Sequence, residues 1–433
     1  MVSGGAAVAA AASHSSRGSG SQAAAARDKL RRMTVNSRVE VAVVGGGPAG
    51  LTTAIALASA GVETALIARK PAPDHRTTAL LAGSVTALAT LGVWPRCAAD
   101  SAPLRVMRIV DDTSRLIRAP EVSFSADEIG LDAFGHNIEN RHLLAALDAQ
   151  AKELPALQRI EDEARAVEIG DAGVTIALKS GGTVTARLAV GADGRRSLCR
   201  AAAGIETDGF RYPQTALTFN LSHARPHRDT STEFHTESGP FTLVPLPGAR
   251  SSLVCVVEPA EIERIGALDD AALADEIEQR SHSILGRVAI DPGRGTFPLA
   301  VETARSFGSN RIALVGEAAH LIPPIGAQGL NLGLRDAATI GELVVAARRD
   351  GDDVGATALL SRYDAARRAD VKSRSFAVDL LNRTLLSDFL PVQGARGFGL
   401  YLIDRVGPLR RAVLREGVAP FASQPRLMRG EAL

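Results

Sequence analysis

The sequence predicts an α/β protein: a Rossmann-like dinucleotide-binding domain, an inserted β-sheet domain and a set of C-terminal helices. Three observations predict it. A β-branched run, Val39–Val44, feeds a glycine-rich turn and then a helix-like segment. Segments of alternating polarity, such as Thr215–Leu221 and Ser251–Val257, lie between Arg211 and Ala300. From Thr357 to Glu416 the apolar spacing becomes helical. A chain of 433 residues is long enough for two or three such units. We assign 1–36 to a disordered tail, and 37–105, 136–205 and 306–345 to a discontinuous dinucleotide domain. The segments 106–135 and 206–305 form the inserted sheet, and 346–433 the helical region.

Hydrophobic residues make up 45% and charged residues 22%, which excludes disorder along the whole chain. Lys+Arg number 49 against 48 Asp+Glu, and aromatics are 4%, which speaks against a nucleic-acid partner. Cys97, Cys199 and Cys255 are far apart and form no CxxC. A zinc ribbon, a redox dithiol and a disulfide framework are all disfavoured, and a reducing, cytoplasmic location is expected.

The tail, Met1–Asn36, is rich in Ala, Ser and Gly and lacks the charge order of a secretory signal. A transit peptide is conceivable, but a disordered tail, or a translation start at Met33, fits the composition better. Val41–Val62 carries no charge, but Gly45–Pro48 interrupts it, so a buried strand and helix fit better than a membrane span.

The first chemical motif is Gly45-Gly46-Gly47-Pro48-Ala49-Gly50, a GxGxxG between the strand and the helix Leu51–Ala60, with a second strand at Val62–Ile67. In that βαβ setting Gly45 allows the tight turn, Gly47 the approach of a pyrophosphate, and Gly50 close helix packing. The helix then offers free N–H groups to the phosphate. The acidic residue expected near Ala68 for the ribose is absent. Arg69 and Lys70 follow, suited either to a phosphate or to plain surface charge.

A second apolar strand, Leu188–Val190, closes on Gly191-Ala192-Asp193-Gly194. A third, Arg311–Val315, closes on Gly316-Glu317-Ala318-Ala319-His320. A loop Leu321–Gly326 with Pro323 and Pro324 follows, then a helix entered through Gly329-Leu330-Asn331. These three motifs in this order resemble the aromatic-ring hydroxylases of the para-hydroxybenzoate hydroxylase type, from about Val39 to about Gly417.

A narrower likeness is to the ubiquinone-biosynthesis hydroxylases. It rests on Arg76–Leu80 with Ser84 and Leu91–Trp94, and on Gly135–Leu144. Further support is Gly239–Phe241 with Leu243–Leu246, Tyr363 with Arg367–Asp370, Leu381–Arg383, and Gly399-Leu400.

The resemblance implies FAD as cofactor and NAD(P)H as reductant. It places Gly45, Gly47 and Gly50 at the FAD pyrophosphate, and Arg76 and Arg141 on the cofactor. Asp193 and Gly194 belong to a motif linked to both nucleotides. The residue after Gly316 would bind the ribityl chain; here it is Glu317, one methylene longer than the usual Asp.

Chemistry gives the third motif its own logic. Reduced flavin is anionic, and a helix starting near Gly329-Leu330-Asn331 would aim its positive end there. Gly326 and Gly329 let backbone approach the ring, and Pro323 and Pro324 stiffen a water-excluding wall. Catalytic proton-transfer residues are not readable.

His223 and His227 have HxxxH spacing, but Pro226 between them argues against a metal. His320 reads as a hydrogen-bonded structural histidine rather than a base. Leu400, Ile403, Leu409 and Val413 form a stripe with Arg405, Arg410, Arg411 and Arg415 between, read as an amphipathic helix packed on its own core. A basic face against an anionic inner membrane is the alternative.

The resulting expectation is an FAD monooxygenase that uses O2, by way of a flavin C4a-hydroperoxide, to hydroxylate a polyprenylated phenol on the path to ubiquinone. A ubiquinone-biosynthesis complex and a peripheral membrane contact stay open as partners. Rival readings are a hydroxylase of a soluble aromatic or polyketide, a flavin reductase acting on a prenyl chain, and a non-catalytic FAD-binding subunit.

Overall fold

The computed structural model describes residues 36–70, 74–115, 118–386, 399, 401–402, 405–418 and 424–433. The tail up to residue 35, Leu400 and Ile403 lie outside them. The charge-free run becomes a strand and a helix: β1 is Asn36–Val44 and α1 is Pro48–Ser59. Asn36, placed with the tail on sequence, is the first residue of β1. Its side-chain carbonyl accepts from the Thr183 backbone and hydroxyl. The next strands are β2 (Thr64–Ala68), β3 (Leu157–Glu161), β4 (Thr183–Gly191) and β5 (Ile312–Leu314).

They form a parallel sheet in the order β5–β4–β1–β2–β3. A strand with parallel neighbours on both sides and helices over its faces is buried throughout, which is why Val41–Val44 is wholly apolar. The helices α2 (Asn140–Lys152) and α3 (Gln328–Asp350) pack against α1. The last turn of α3 carries Arg348 and Arg349 against its negative end, and Gly351 stops it at φ 78°.

The second sheet has nine strands among the described residues. Thr207–His223, Thr230–Thr236, Gly239–Leu246, Arg250–Val257 and Gly295–Ala304 are its main members, with Val106–Asp111 and Val122–Ser125 at one edge. Alternation gives it two faces. The outer face, with Leu217, Phe219, Phe234 and Leu253, is sealed by the helices Pro259–Gly266 and Asp270–Arg280. On the inner face Thr218, Thr242, Val244 and Val254 are half-buried, whereas Asn220, His235 and Ser252 are buried.

A small antiparallel sheet, Thr77–Leu81, Gly135–Glu139 and Ser101–Pro103, lies between the two large ones. Asn137 in it donates to Pro245 O at 2.9 Å and to Ser252 Oγ at 3.1 Å, so the inner face looks toward the dinucleotide side.

Two long helices follow, α4 (Thr357–Leu386) and α5 (Gly407–Val418). The stripe read from sequence is not the face of α5 that packs: Leu409 is 41% and Val413 43% exposed. Leu414, about 100° further round the helix from Val413, is the buried anchor, beside Phe124 and Phe134. Arg410 fixes the same face, bonding the Glu128 carboxylate and lying 4.5 Å from the centre of the Phe124 ring. The side chains of Leu381–Arg383 are outside the described residues. Among the described residues no helix is long and apolar enough to cross a membrane.

Candidate cofactor site

Three turns leave the carboxyl ends of three adjacent parallel strands, where open α/β sheets bind ligands. Gly45 follows β1, Asp193 follows β4 and Gly316 follows β5. They touch one another. Ala192 N donates to Val44 O at 2.7 Å. A Cβ at Gly45, where φ is 118°, would stand 2.1 Å from Ala192 O, and one at Gly50 would stand 2.1 Å from Gly45 O. Gly46, between two motif glycines, is equally committed: its Cβ would lie 2.6 Å from that of Ala68.

Other glycines face open space instead. A Cβ at Gly47, Gly194, Gly326 or Gly329 meets nothing within 4 Å. Packed glycines behind and open glycines in front describe a cradle bounded by backbone. The start of α1 has no side-chain cap and no acidic residue in its first turn, so its N–H groups remain for an anion. Behind the second turn, Asp193 Oδ2 accepts from Leu198 N at 2.7 Å and Cys199 N at 3.2 Å. Its Oδ1 is buried without a hydrogen-bond partner. The residues present fit a dinucleotide.

Arg76 stands at the edge of this cradle. Asp74 clamps it through two hydrogen bonds of 2.8 Å, and its guanidinium lies 5.6 Å from the Phe297 ring centre. The Asp74 hydrogen bond, helped by the nearby Glu317, raises the Arg76 pKa further. Burial pushes Asp74 up, but Arg76 and Asn140 reverse this and hold it below its ordinary value. Glu317 is exposed and lies within electrostatic reach of Arg76 and Arg195. Arg141 opens α2, half-exposed, and pairs with Glu139 at 3.0 Å. Arg69 pairs with Glu163 at 3.8 Å on the surface.

The third motif crosses the seam between the sheets. β5 lies in the parallel sheet, whereas His320-Leu321 pairs with Thr303 and Glu302 in the second. Gly326 and Ala327 both take left-handed backbone, at φ 67° and 55°, before α3 begins at Gln328. Pro323 is buried and Pro324 exposed. The Asn331 side chain is spent on structure: Oδ1 accepts from Leu81 N, and Nδ2 donates to Ala79 O and Ala327 O. What remains at Leu330 and Asn331 for a cofactor is backbone.

His320 is buried as a structural residue. Its Nε2 lies 2.6 Å from Asp336 Oδ2, which also accepts from Gly316 N at 3.0 Å. Arg367 Nε donates to Asp336 Oδ1 at 2.6 Å. Burial raises the Asp336 pKa, but His320 and Arg367 outweigh it and keep the carboxyl below its ordinary value. Asp336 pins both ends of the Gly316–His320 turn and was missed on sequence. The available signal was an acid on the apolar stripe of a helix, four residues from both Leu332 and Ile340. His223 and His227 bond backbone carbonyls and Ser251.

Gly329→Asp tests which side of this loop faces the cofactor. An acid in the first turn of α3 suits the helix, and the position has room, so the fold should be kept. Beside an anionic reduced flavin the carboxylate should lower the reduction potential and weaken turnover. Redox titration and turnover on one sample check this; an unchanged potential with full turnover would remove the loop from the flavin.

The chain is similar to known proteins over most of its length. A family described as an FAD binding domain matches residues 38–374. The chain is 36% identical over 405 residues to the ubiquinone hydroxylase UbiL of Rhodospirillum rubrum, covering 91% of this chain and 93% of that one. It is 32% identical to the 3-demethoxyubiquinol 3-hydroxylase of Escherichia coli K12, covering 88% and 98%. The crystal structure of p-nitrophenol 4-monooxygenase PnpA from Pseudomonas putida superposes with a TM-score of 0.73 at 20% identity, covering 88% and 98%, and shares the fold. With three motif turns meeting at one sheet edge and a family match through most of its length, the chain belongs to the FAD-binding-domain family.

Proposed function

We propose that the protein is an FAD-dependent, NAD(P)H-using monooxygenase that hydroxylates the aromatic ring of a polyprenylated phenol in ubiquinone biosynthesis. The observation that carries this reading is the end-to-end similarity to two ubiquinone-pathway hydroxylases, at 36% and 32% identity. When bound and reduced, FAD would supply the electrons that activate O2 for insertion of one oxygen atom. The chain's own part is to hold and shield. The α1 N-terminus and Gly45, Gly47 and Gly50 receive the pyrophosphate. Arg76, Arg141, Asp193, Gly194, Gly316 and Glu317 surround the rest of the cofactor. The Pro323–Gly329 loop and the first turn of α3, with Leu330 and Asn331, present backbone to the ring and exclude water.

The half-buried part of the inner face of the second sheet suits an aromatic substrate across from that loop. Exposed Leu409 and Val413 beside Arg411 and Arg415 suit a peripheral contact with an anionic membrane, where a polyprenyl chain resides.

The test is quinone profiling of a deletion strain, with NAD(P)H-driven oxygen consumption by the purified yellow protein. An accumulated precursor lacking one ring hydroxyl, restored by the gene, is the expected result. An unchanged quinone profile would move the substrate to a soluble aromatic. FAD binding without oxygen consumption on any phenol would make the chain a non-catalytic subunit.

A further inference from the structure

We propose that Glu233, held by His235 and Thr242 on the inner face of the second sheet, is the acceptor that receives the phenolic hydroxyl of the substrate and selects for it.

The placement follows from strand periodicity. Phe234 points outward into the core sealed by the two helices, so Glu233 and His235 on either side of it point inward. Register puts Glu233 opposite Thr242, which in turn lies opposite Val254. Ser252 on the same face accepts from Asn137 of the small sheet, and that sheet's first strand is tied to Asn331 at the cofactor loop. The inner face and the cofactor turns are therefore held against the same small sheet.

The chemistry of the group points to a ligand. Glu233 Oε1 receives His235 Nε2 at 2.8 Å, and Oε2 receives the Thr242 hydroxyl at 3.3 Å. An ionised carboxylate accepts about four hydrogen bonds, so two positions stay open. The histidine beside it is 2% exposed, whereas the carboxylate keeps 21% of its side chain open. Burial works against the charge, but the His235 and Thr242 bonds prevail, and Glu233 stays an acceptor without protons of its own. Ile109, opposite it on the next strand, and Val244, diagonal to it, are half-buried and uncharged, and Asp111 stands opposite His235. A fixed, partly exposed acceptor beside half-buried apolar side chains recognises a ring that carries one hydroxyl donor. Its bond to the hydroxyl would set which ring carbon faces the cofactor.

This inference rests on the aromatic-substrate reading above, and the experiment separates the two. The FAD-loaded protein is titrated by calorimetry with 2-geranylphenol and with its methyl ether, which cannot donate. A charge-assisted hydrogen bond predicts that wild type binds the phenol about tenfold or more tighter than the ether. Glu233→Gln, close in shape, should reduce that ratio several-fold, and Glu233→Ala should abolish it, with ether affinity unchanged. FAD content and melting temperature report folding, and the Gln variant suffices if the Ala variant fails to fold. A wild-type preference that survives in the Gln and Ala variants would overturn the Glu233 assignment and leave the function intact. Equal binding of phenol and ether by wild type would also overturn it. If the FAD-loaded wild type binds neither, the aromatic-substrate reading itself fails.

Discussion

Gly47→Val is expected to abolish FAD binding while leaving the apoprotein folded. Gly47 has φ −72° and ψ 173°, extended backbone open to any residue. A Cβ there meets nothing within 4 Å, so the substitution costs the fold little. The branched side chain would instead fill the space in front of the first N–H groups of α1. Charge-assisted hydrogen bonds are worth about 1.5–3 kcal/mol each, so losing two weakens FAD by roughly a hundredfold or more. Gly50→Val is the contrasting variant. Its Cβ would lie 2.1 Å from Gly45 O, an overlap backbone cannot relieve locally, so this protein should be destabilised by about 4 kcal/mol or more. Flavin absorbance and apoprotein melting separate the two: loss of cofactor with normal melting for Gly47→Val, loss of both for Gly50→Val. Normal flavin content in Gly47→Val would place the pyrophosphate elsewhere.

Asp336→Ala is expected to be the most destabilising single truncation near the site. It leaves His320 buried without its carboxylate and Arg367 with Asp370 alone, a change that costs up to about 3–5 kcal/mol, out of a usual total of about 5–15 kcal/mol. Gly316 N loses its acceptor as well, so the turn carrying Glu317 should loosen and FAD affinity fall with stability. The sign with pH follows from the direction of the Asp336 shift. Its folded pKa is depressed, so its contribution is complete above the ordinary carboxylate value of 3.8 and is lost as the pH falls below it. Urea unfolding at pH 7 and in the acid range should show wild type losing stability on acidification. Asp336→Asn should begin lower and show a shallower loss over that range. Equal acid slopes in the two proteins would remove Asp336 from the linkage.

The site is legible in the sequence where one short segment sets both conformation and chemistry. GxGxxG between a β-branched strand and an apolar helix carries its own geometry, because positive φ at Gly45 and close packing at Gly50 are local demands. The same holds for Gly326, where the loop turns left-handed before α3. Asn331 was less legible. A helix start predicts backbone toward the cofactor, but only the strand Thr77–Leu81, 250 residues away, shows where the side chain goes. The C-terminal stripe failed for a related reason. Helical period gives Leu409 and Val413 a common face, but the period does not say which face finds a partner, and Phe124 and Phe134 select Leu414 instead.

The sequence by itself determined the α/β class, the βαβ start with its dinucleotide fingerprint, and the order of three motifs. These depend on periodicity and backbone conformation within about twenty residues, where chain connectivity leaves few alternatives. Only the tertiary structure decided that the turns after Val44, Gly191 and Val315 meet, because parallel strands join through long crossovers whose order no local pattern encodes. It also decided that Asp336 closes on Gly316 and His320, and that Glu233 faces inward beside Thr242. A strand's alternation names two faces, but which one is sealed by helices and which is left open depends on what the rest of the chain packs against it.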